Sequence, residues 1–500
     1  MSTAFPQSTD EAPLEVAIIG AGFGGMYMLH KLRALGFAAK AFEAGTGVGG
    51  TWYWNRYPGA RCDIESLQYS YSFDEAIQQD WTWTERFAPQ TEILQYANYV
   101  AERLDLLRDI VFEVRIAAGR YDAAANLWRL ETADGRSIVA QKVVTAVGCL
   151  SSANLPDIEG VRDFAGETYH TGQWPKEGVD FTGKRVAVIG TGASAIQIVP
   201  EIVKDVAGLQ LYQRTPAWVM PRPNNPIPEG MQRVFANVPG TRAAMRAGIY
   251  WIHEAVGFAM TKQPRLLKLG ELMGKWNIRR SIKDRELRRK LTPDYRAGCK
   301  RILNSDTYYR GIADPKTEVI TDRIARFTPT GIVTADGRER PVDVVVFATG
   351  FHVTDSYTYV DIKGPDGEDL VDRWNAEGIA ALRGITVAGM PNLVFLLGPN
   401  TALGHNSVVF MIESQIRYAG HAIAAVDRAG AQALAPTRDA QDRYNDELQD
   451  ELSGTVWSTG GCRSWYLDEH GVNRTLWSGM TWQYWLATRR FKASEYTFTR

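Results

Sequence analysis

Leu14-Glu15-Val16-Ala17-Ile18-Ile19-Gly20-Ala21-Gly22-Phe23-Gly24-Gly25 is an apolar run of strand length that breaks into a glycine loop, and a helical pattern follows over residues 26–35. In that context each glycine has a reason. Gly20 permits the tight turn, Gly22 lets backbone approach a pyrophosphate, and Gly25 allows the helix to pack closely, its amino terminus facing the phosphates. A second strand over residues 38–42 ends in Glu43, about 20 residues past the loop, where a carboxylate accepts the ribose hydroxyls of an unphosphorylated adenosine such as that of FAD. The device repeats after residues 185–189 as Gly190-Thr191-Gly192-Ala193-Ser194-Ala195, with a small alanine in place of the third glycine. The next strand ends in Gln213-Arg214-Thr215 instead of an acid. A guanidinium there matches a 2′-phosphate, so the second nucleotide reads as NADPH.

The fold class is therefore α/β, with two dinucleotide-binding (Rossmann-like) domains. Residues 1–150 and 386–500 read as the FAD-binding domain, residues 151–215 and 296–385 as the NADPH-binding domain, and residues 216–295 as a helical insertion in the latter. Apolar strands ending in Gly148 and in Ala348-Thr349-Gly350 close each half, and a hairpin is expected between residues 110 and 131.

Between the loops stands Phe164-x-Gly166-x-x-x-His170-x-x-x-Trp174-Pro175, and the first domain also carries Gly49-Gly50-Thr51-Trp52-Tyr53-Trp54, then Tyr57-Pro58-Gly59, then Asp63. This arrangement resembles the type I (class B flavoprotein) Baeyer–Villiger monooxygenase family, whose fingerprint is Phe-x-Gly-x-x-x-His-x-x-x-Trp followed by Pro or Asp between two glycine loops. The resemblance covers nearly the whole chain and is weakest over residues 216–295. It implies that Thr51, Trp52, Tyr53, Trp54, Asp63 and Tyr69 contact the flavin or its chain, that Arg61, Cys62 and Asp63 approach the nicotinamide, and that Val114 meets the adenine. Thr191, Ala193, Ser194, Gln197 and Thr215 belong to the NADPH side. Gly298-Cys299-Lys300-Arg301 resembles the family's Lys-Arg pair, Lys300 reaching the phosphate and Arg301 the flavin. Trp465 in Cys462-Arg-Ser-Trp465 resembles the loop residue on the NADP ribose. Phe164, Gly166, His170, Trp174 and Pro175 read as domain-coupling residues. His405, in a loop that opens a helix, reads as a packing histidine.

Bulk properties remove other classes. With 56 basic and 57 acidic residues, no global field recruits nucleic acid or a membrane surface. The first thirteen residues lack the basic start and apolar core of a secretory signal. Residues 247–260 are apolar but interrupted by His253 and Glu254, too short for the ~20 residues of a membrane span, and read as a buried or substrate-facing helix. The basic residues Arg279-Arg280 and Arg288-Arg289-Lys290 read as a solvated helix face. Cys62, Cys149, Cys299 and Cys462 form no C-x-x-C pair, which excludes a redox dithiol, and so few cysteines fit a reducing compartment. The seven histidines form no ligand-spaced cluster, so no metal is expected. The location reads as cytoplasmic.

FAD with NADPH and no dithiol leaves molecular oxygen as electron acceptor. The resemblance implies that a flavin C4a-peroxide attacks a small ketone and gives an ester or lactone, with Arg301 supplying the stabilising charge and Asp63 holding Arg301. The rival within the fold is a flavin monooxygenase oxidising nitrogen or sulfur, against which Trp174-Pro175 and Lys300-Arg301 argue. A rival from another class, an NADPH-sensing protein without turnover, is expected to lack the reactive-site arginine. Losing a charged phosphate partner costs ~1.5–3 kcal/mol, so Arg214→Ala should raise the NADPH requirement roughly ten- to hundredfold. Steady-state rates with both nucleotides check it, and equal use of NADH and NADPH by the wild type would sink the assignment.

Overall fold

The computed structural model describes residues 5–352 and 360–500. Its first sheet begins with β1 (Leu14–Ile19), β2 (Ala39–Glu43) and β3 (Ile110–Phe112), parallel neighbours in the order β3, β2, β1. Val16, Ala17 and Ile18 are all fully buried, which is why β1 reads as a continuous apolar run and not as an alternation. The hairpin of β4 (Ile116–Asp122) and β5 (Leu127–Thr132) is antiparallel. β6 (Ser137–Thr145) joins the two regimes, antiparallel to β5 and parallel to β1, with Val144 opposite Ile18.

The second sheet is wholly parallel. It holds β7 (Glu167–His170), β8 (Arg185–Ile189), β9 (Gly208–Tyr212), β10 (Thr317–Ile320) and β11 (Val344–Phe347) in the order β10, β9, β8, β11, β7. The chain then returns to the first sheet. β12 (Asp361–Lys363) pairs with β4, and β13 (Leu393–Phe395) pairs with β6. The return therefore comes earlier than the expected boundary at residue 386, because Ile362, Leu370 and Trp374 bury themselves in the core of the first sheet.

Phe164 to Pro175 forms the edge of the second sheet. β7 lies beside β11, with His170 opposite Phe347. At Gly166 a Cβ would stand 2.4 Å from the Asp343 carbonyl oxygen, so only glycine allows that approach. Phe164 packs at 6.0 Å on Phe327, and Trp174 lies between Tyr169 and Phe181 at 5.6 and 6.2 Å. His170 Nδ1 accepts from the Gly172 N–H at 3.0 Å, and burial lowers the His170 pKa to about 4, so the ring is neutral at pH 7. Beyond Pro175, Lys176 Nζ donates to Thr46 Oγ1 of the first domain at 3.1 Å.

The insertion is helical, as read: Glu229–Asn237, Thr241–Thr261, Leu267–Ser281 and Arg285–Leu291. Residues 247–260 meet the expectation of a buried helix on one side only, for Ile252 is 66% exposed. The cysteines also differ from the reading of a reduced set. Cys299 and Cys462 form a disulfide across 163 residues of sequence, a separation at which no spacing pattern announces a pair, while Cys62 and Cys149 are free. Thiol titration of the denatured protein should find two reactive thiols before reduction and all four after it. Four thiols before reduction would contradict the pairing.

Candidate active site

The first glycine loop lies against a second backbone segment. Gly20 has φ +101, and a Cβ at Gly22 would stand 3.3 Å from the Gly50 Cα, so two stretches of bare backbone face one cleft. The helix Phe23–Ala34 starts on Gly22 with no capping side chain and no acid in its first turn, which leaves its amino terminus to an anion. Glu43 is 5% exposed. Its Oε2 accepts from the Ala21 N–H and its Oε1 from the Gly45 N–H, each at 2.8 Å. Burial raises its pKa, and those two bonds oppose the rise. A carboxylate has about four acceptor positions, so ribose hydroxyls still find room. The Val114 N–H is taken by the Glu43 main-chain oxygen at 2.9 Å, which fixes this residue beside the same strand end. Thr51–Trp54 is a single helical turn, in which Trp52 Nε1 donates to the Tyr69 hydroxyl at 3.0 Å and Trp54 packs edge-on to Tyr53 at 4.9 Å. These features fit FAD: a cradle with glycine where side chains would intrude, an uncapped helix and a buried acid at the strand end.

The second loop has the same form. Gly190 has φ +123, a Cβ at Gly192 would meet open space, and the helix Ala193–Ile202 again starts without a capping side chain. Thr191 Oγ1 donates to the Thr215 carbonyl at 2.8 Å, which ties the segment that bears Arg214 to this loop. Lys300 has its pKa lowered, by burial first and then by the charge of Arg214, so the two cations share one neighbourhood. Among the described residues neither forms an ion pair, and the Lys300 Nζ stands 5.2 Å over the Tyr295 ring. The Asp294 carboxylate offsets part of the charge on Lys300, and the two like charges that remain close together fit a phosphate. Gln197 is placed differently from the rest. The Tyr57 hydroxyl donates to its Oε1 at 2.8 Å, the Arg61 N–H donates to the same atom at 3.3 Å, and its Nε2 donates to the Arg61 carbonyl at 3.0 Å. Its amide is thus a clamp between the domains.

Where the domains meet, Arg301 and Asp63 form the central pair. Nε and Nη2 of Arg301 stand 2.8 and 2.7 Å from Asp63 Oδ2, and Nη1 donates to the Leu403 carbonyl at 3.3 Å. The Asp63 charge, ahead of burial, holds the guanidinium firmly protonated. Tyr466 is fully buried beside it, with its pKa pushed up to about 12 by burial against the pull of Arg301. Trp465 is partly exposed and packs on Tyr466 at 4.4 Å. The disulfide runs from Cys299, two residues before Arg301, to Cys462, three residues before Trp465, and so ties the cationic segment to this loop. Arg61 turns away, pairing with Glu85 at 2.9 Å, and Cys62 is buried with its thiol pKa raised. His405 packs against Gly257, where a Cβ would come within 2.5 Å of the ring, and its Nε2 lies 3.5 Å from Glu254. Arg222 was not singled out by sequence, although it is the sole charge between Thr215 and Pro228. It is buried, burial lowers its pKa, and it donates to the Cys62 carbonyl at 3.3 Å, bracing the Asp63 segment.

The model of the flavin-binding monooxygenase-like family (FMO-like) matches residues 14–233. A Baeyer–Villiger monooxygenase of Pseudomonas aeruginosa is 45% identical over 487 residues, 97% of this chain and 91% of its own. One of Streptomyces coelicolor is 42% identical over 490 residues, 97% and 93% of the two chains. Among solved structures, cyclohexanone monooxygenase from Rhodococcus sp. Phi1 bound to NADP+ superposes with a TM-score of 0.88 at 30% identity, covering 98% of this chain and all of that one. The family model and these relatives make this a flavoprotein monooxygenase. Identity over nearly its whole length places the chain in the Baeyer–Villiger monooxygenase family.

Replacing Gln197 with Leu removes three hydrogen bonds and leaves the buried Tyr57 hydroxyl with Ser194 alone, at a cost of about 1–3 kcal/mol. Thermal unfolding followed by circular dichroism should show a lowered Tm with NADP affinity nearly unchanged. An unchanged Tm with weakened NADP binding would return Gln197 to the cofactor.

Proposed function

We propose that this protein is an FAD- and NADPH-dependent Baeyer–Villiger monooxygenase that inserts one oxygen atom from O2 beside the carbonyl of a small ketone, giving an ester or lactone. The observation that carries the reading is the Arg301 guanidinium, held by Asp63 at 2.7 and 2.8 Å where the two domains meet. FAD, once reduced by NADPH, supplies the activated oxygen. The chain supplies its electrostatics. Asp63 and the Leu403 carbonyl take three of the five guanidinium N–H groups and fix its plane, so at most two remain for a developing negative charge. A fixed cation favours the deprotonated form of a neighbouring oxygen acid. That form attacks carbonyl carbon, whereas the protonated form oxidises sulfur and amines. Tyr466, with its pKa at about 12, stays neutral and adds no competing anion.

Arg214 and Lys300 hold the 2′-phosphate, and the loop of Trp465 covers the ribose. Glu43 holds the FAD ribose, and the aromatic run from Trp52 to Trp54 with Tyr69 walls the ring. A wall of this kind excludes water, which would otherwise discharge the activated oxygen. An NADPH-consuming reaction of this kind fits the cytoplasm.

Arg301→Ala should leave flavin reduction by NADPH intact, because hydride transfer needs no partner for the oxygen anion, while ester formation falls roughly 10²–10³-fold. Stopped-flow absorbance reads the first, and mass spectrometry of products from a ketone panel under labelled O2 reads the second. Ester formed at near the wild-type rate would remove Arg301 from its role. Amines and sulfides oxidised with no ketone converted would replace the reaction class.

A further inference from the structure

The helix Thr241–Thr261 is amphipathic in the reverse of the usual sense. Its charged side chains turn inward. Arg246 donates to the Leu67 and Ser70 carbonyls at 2.9 Å each, Arg242 to the Trp81 carbonyl at 3.2 Å, His253 meets Glu65 at 2.7 Å, and Glu254 accepts from Asn406 at 2.7 Å. Its outward face carries Met245, Trp251, Ile252, Val256 and Phe258, and the other exposed positions between residues 243 and 258 are alanine and glycine. A solvated helix places its charges outside, so this face is built for something other than water.

The apolar surface continues past the turn Pro264–Leu266. On that turn and the helix Leu267–Ser281 it carries Leu266, Leu269, Leu272, Met273 and Trp276 at intervals of three or four, with Leu269 70% and Leu272 63% exposed. Trp482 and Leu486, one turn apart on Thr481–Thr488, are also exposed, and Thr481 is bonded to Tyr250 of the outer helix at 2.9 Å. Around this tip the charge has one sign. Residues 262–280 hold Lys262, Arg265, Lys268, Lys275, Arg279 and Arg280 against a single acid, Glu271, which is turned to Arg296 at 3.3 Å. The chain as a whole is nearly neutral, so the basic excess is local.

We propose that this face docks on the surface of an anionic lipid bilayer. The apolar side chains, with tryptophan on each of the three helices, enter the headgroup boundary, and the basic residues meet the lipid phosphates. Charge complementarity selects this occupant over a second copy of the chain. Arg280 is answered by Asp306 at 3.7 Å, but a two-fold self-interface sets the same patch against itself and brings Lys262, Arg265, Lys268, Lys275 and Arg279 towards their own copies. Docking is on the surface, for no helix among the described residues is long and apolar enough to cross a membrane. The inference does not depend on the reaction assigned above.

Flotation of the full-chain holoenzyme with vesicles tests it. Phosphatidylcholine vesicles containing phosphatidylglycerol should carry the protein up, phosphatidylcholine alone should carry much less, and added salt should release part of the bound fraction. The triple variant Ile252→Glu, Leu269→Glu, Leu272→Glu alters only exposed side chains, so it should keep soluble-ketone turnover and lose binding about tenfold or more. Arg265→Glu with Lys268→Glu should remove the preference for phosphatidylglycerol. Failure of the wild type to float, or equal flotation of the triple variant, overturns the proposal. So does a dimer in buffer, measured by sedimentation velocity, that the triple variant converts to a monomer, because the face is then an interface between copies.

Discussion

The ion pair of Arg301 and Asp63 joins residues 238 apart in sequence and lies where two independently wound sheets come together. Taking a guanidinium partly out of water costs energy that its carboxylate returns only when the geometry is good. Here two N–H groups converge on one carboxylate oxygen and a carbonyl takes a third, while the Arg301 side chain as a whole stays 30% exposed. The pair therefore adds little to stability. Its effect is to hold a permanent charge at one orientation, and the surrounding contacts serve that orientation. Arg222 braces the carbonyl next to Asp63, the disulfide anchors the residue two before Arg301, and Gln197 keeps the Arg61 segment against the second domain.

The glycine loops and the chain turns that carry Glu43 and Arg214 were legible because a strand–loop–helix unit is a local structure. Turn, uncapped helix and strand-end residue follow one another within a few tens of residues, and the chemistry of each is readable from residue type. The fingerprint was legible as a pattern, and in the structure its residues pack at the edge of the second sheet. Gly166 and Trp174 close a sheet edge, His170 is a neutral cap, and Lys176 reaches the first domain.

What was illegible depends on contacts between distant parts of the chain. Cys299 and Cys462 carry no spacing signal, and the use of the Gln197 amide is set by Tyr57 and Arg61 across the domain seam. The early return of the chain at β12 follows from burial of Ile362 and Trp374, neither of which stands in a long periodic run. The outer helix is the instructive failure. Arg242, Arg246 and His253 fall four and seven residues apart on one face, so the two faces could be told apart from sequence. The usual rule then turns the apolar face inward. It fails because the first domain offers bare carbonyls at Leu67, Ser70 and Trp81, which arginines satisfy and leucines do not.

The same reasoning explains how one short segment tolerates so many cations. Lys300 and Arg301 are adjacent, Arg214 is close enough to lower the Lys300 pKa, and Arg222 lies near Asp63. These positive groups repel each other, and only Arg301 has a carboxylate in direct contact with its side chain, while Asp63 and Asp306 act on Arg222 and Asp294 on Lys300 from further away. The remaining excess is borne by covalent and backbone constraint: the cystine at Cys299, the hydrogen bond from Thr191 to the Thr215 carbonyl, and the burial of Arg222 on Phe87 at 5.1 Å. A cleft held in this way is complementary to a dianionic phosphate before the phosphate arrives, so less of the binding energy is spent on gathering the charges. On the function proposed above, choice of the phosphorylated nucleotide and placement of the reactive cation follow from one electrostatic arrangement. The disulfide matters to both, because it joins the segment that bears Lys300 and Arg301 to the loop that bears Trp465.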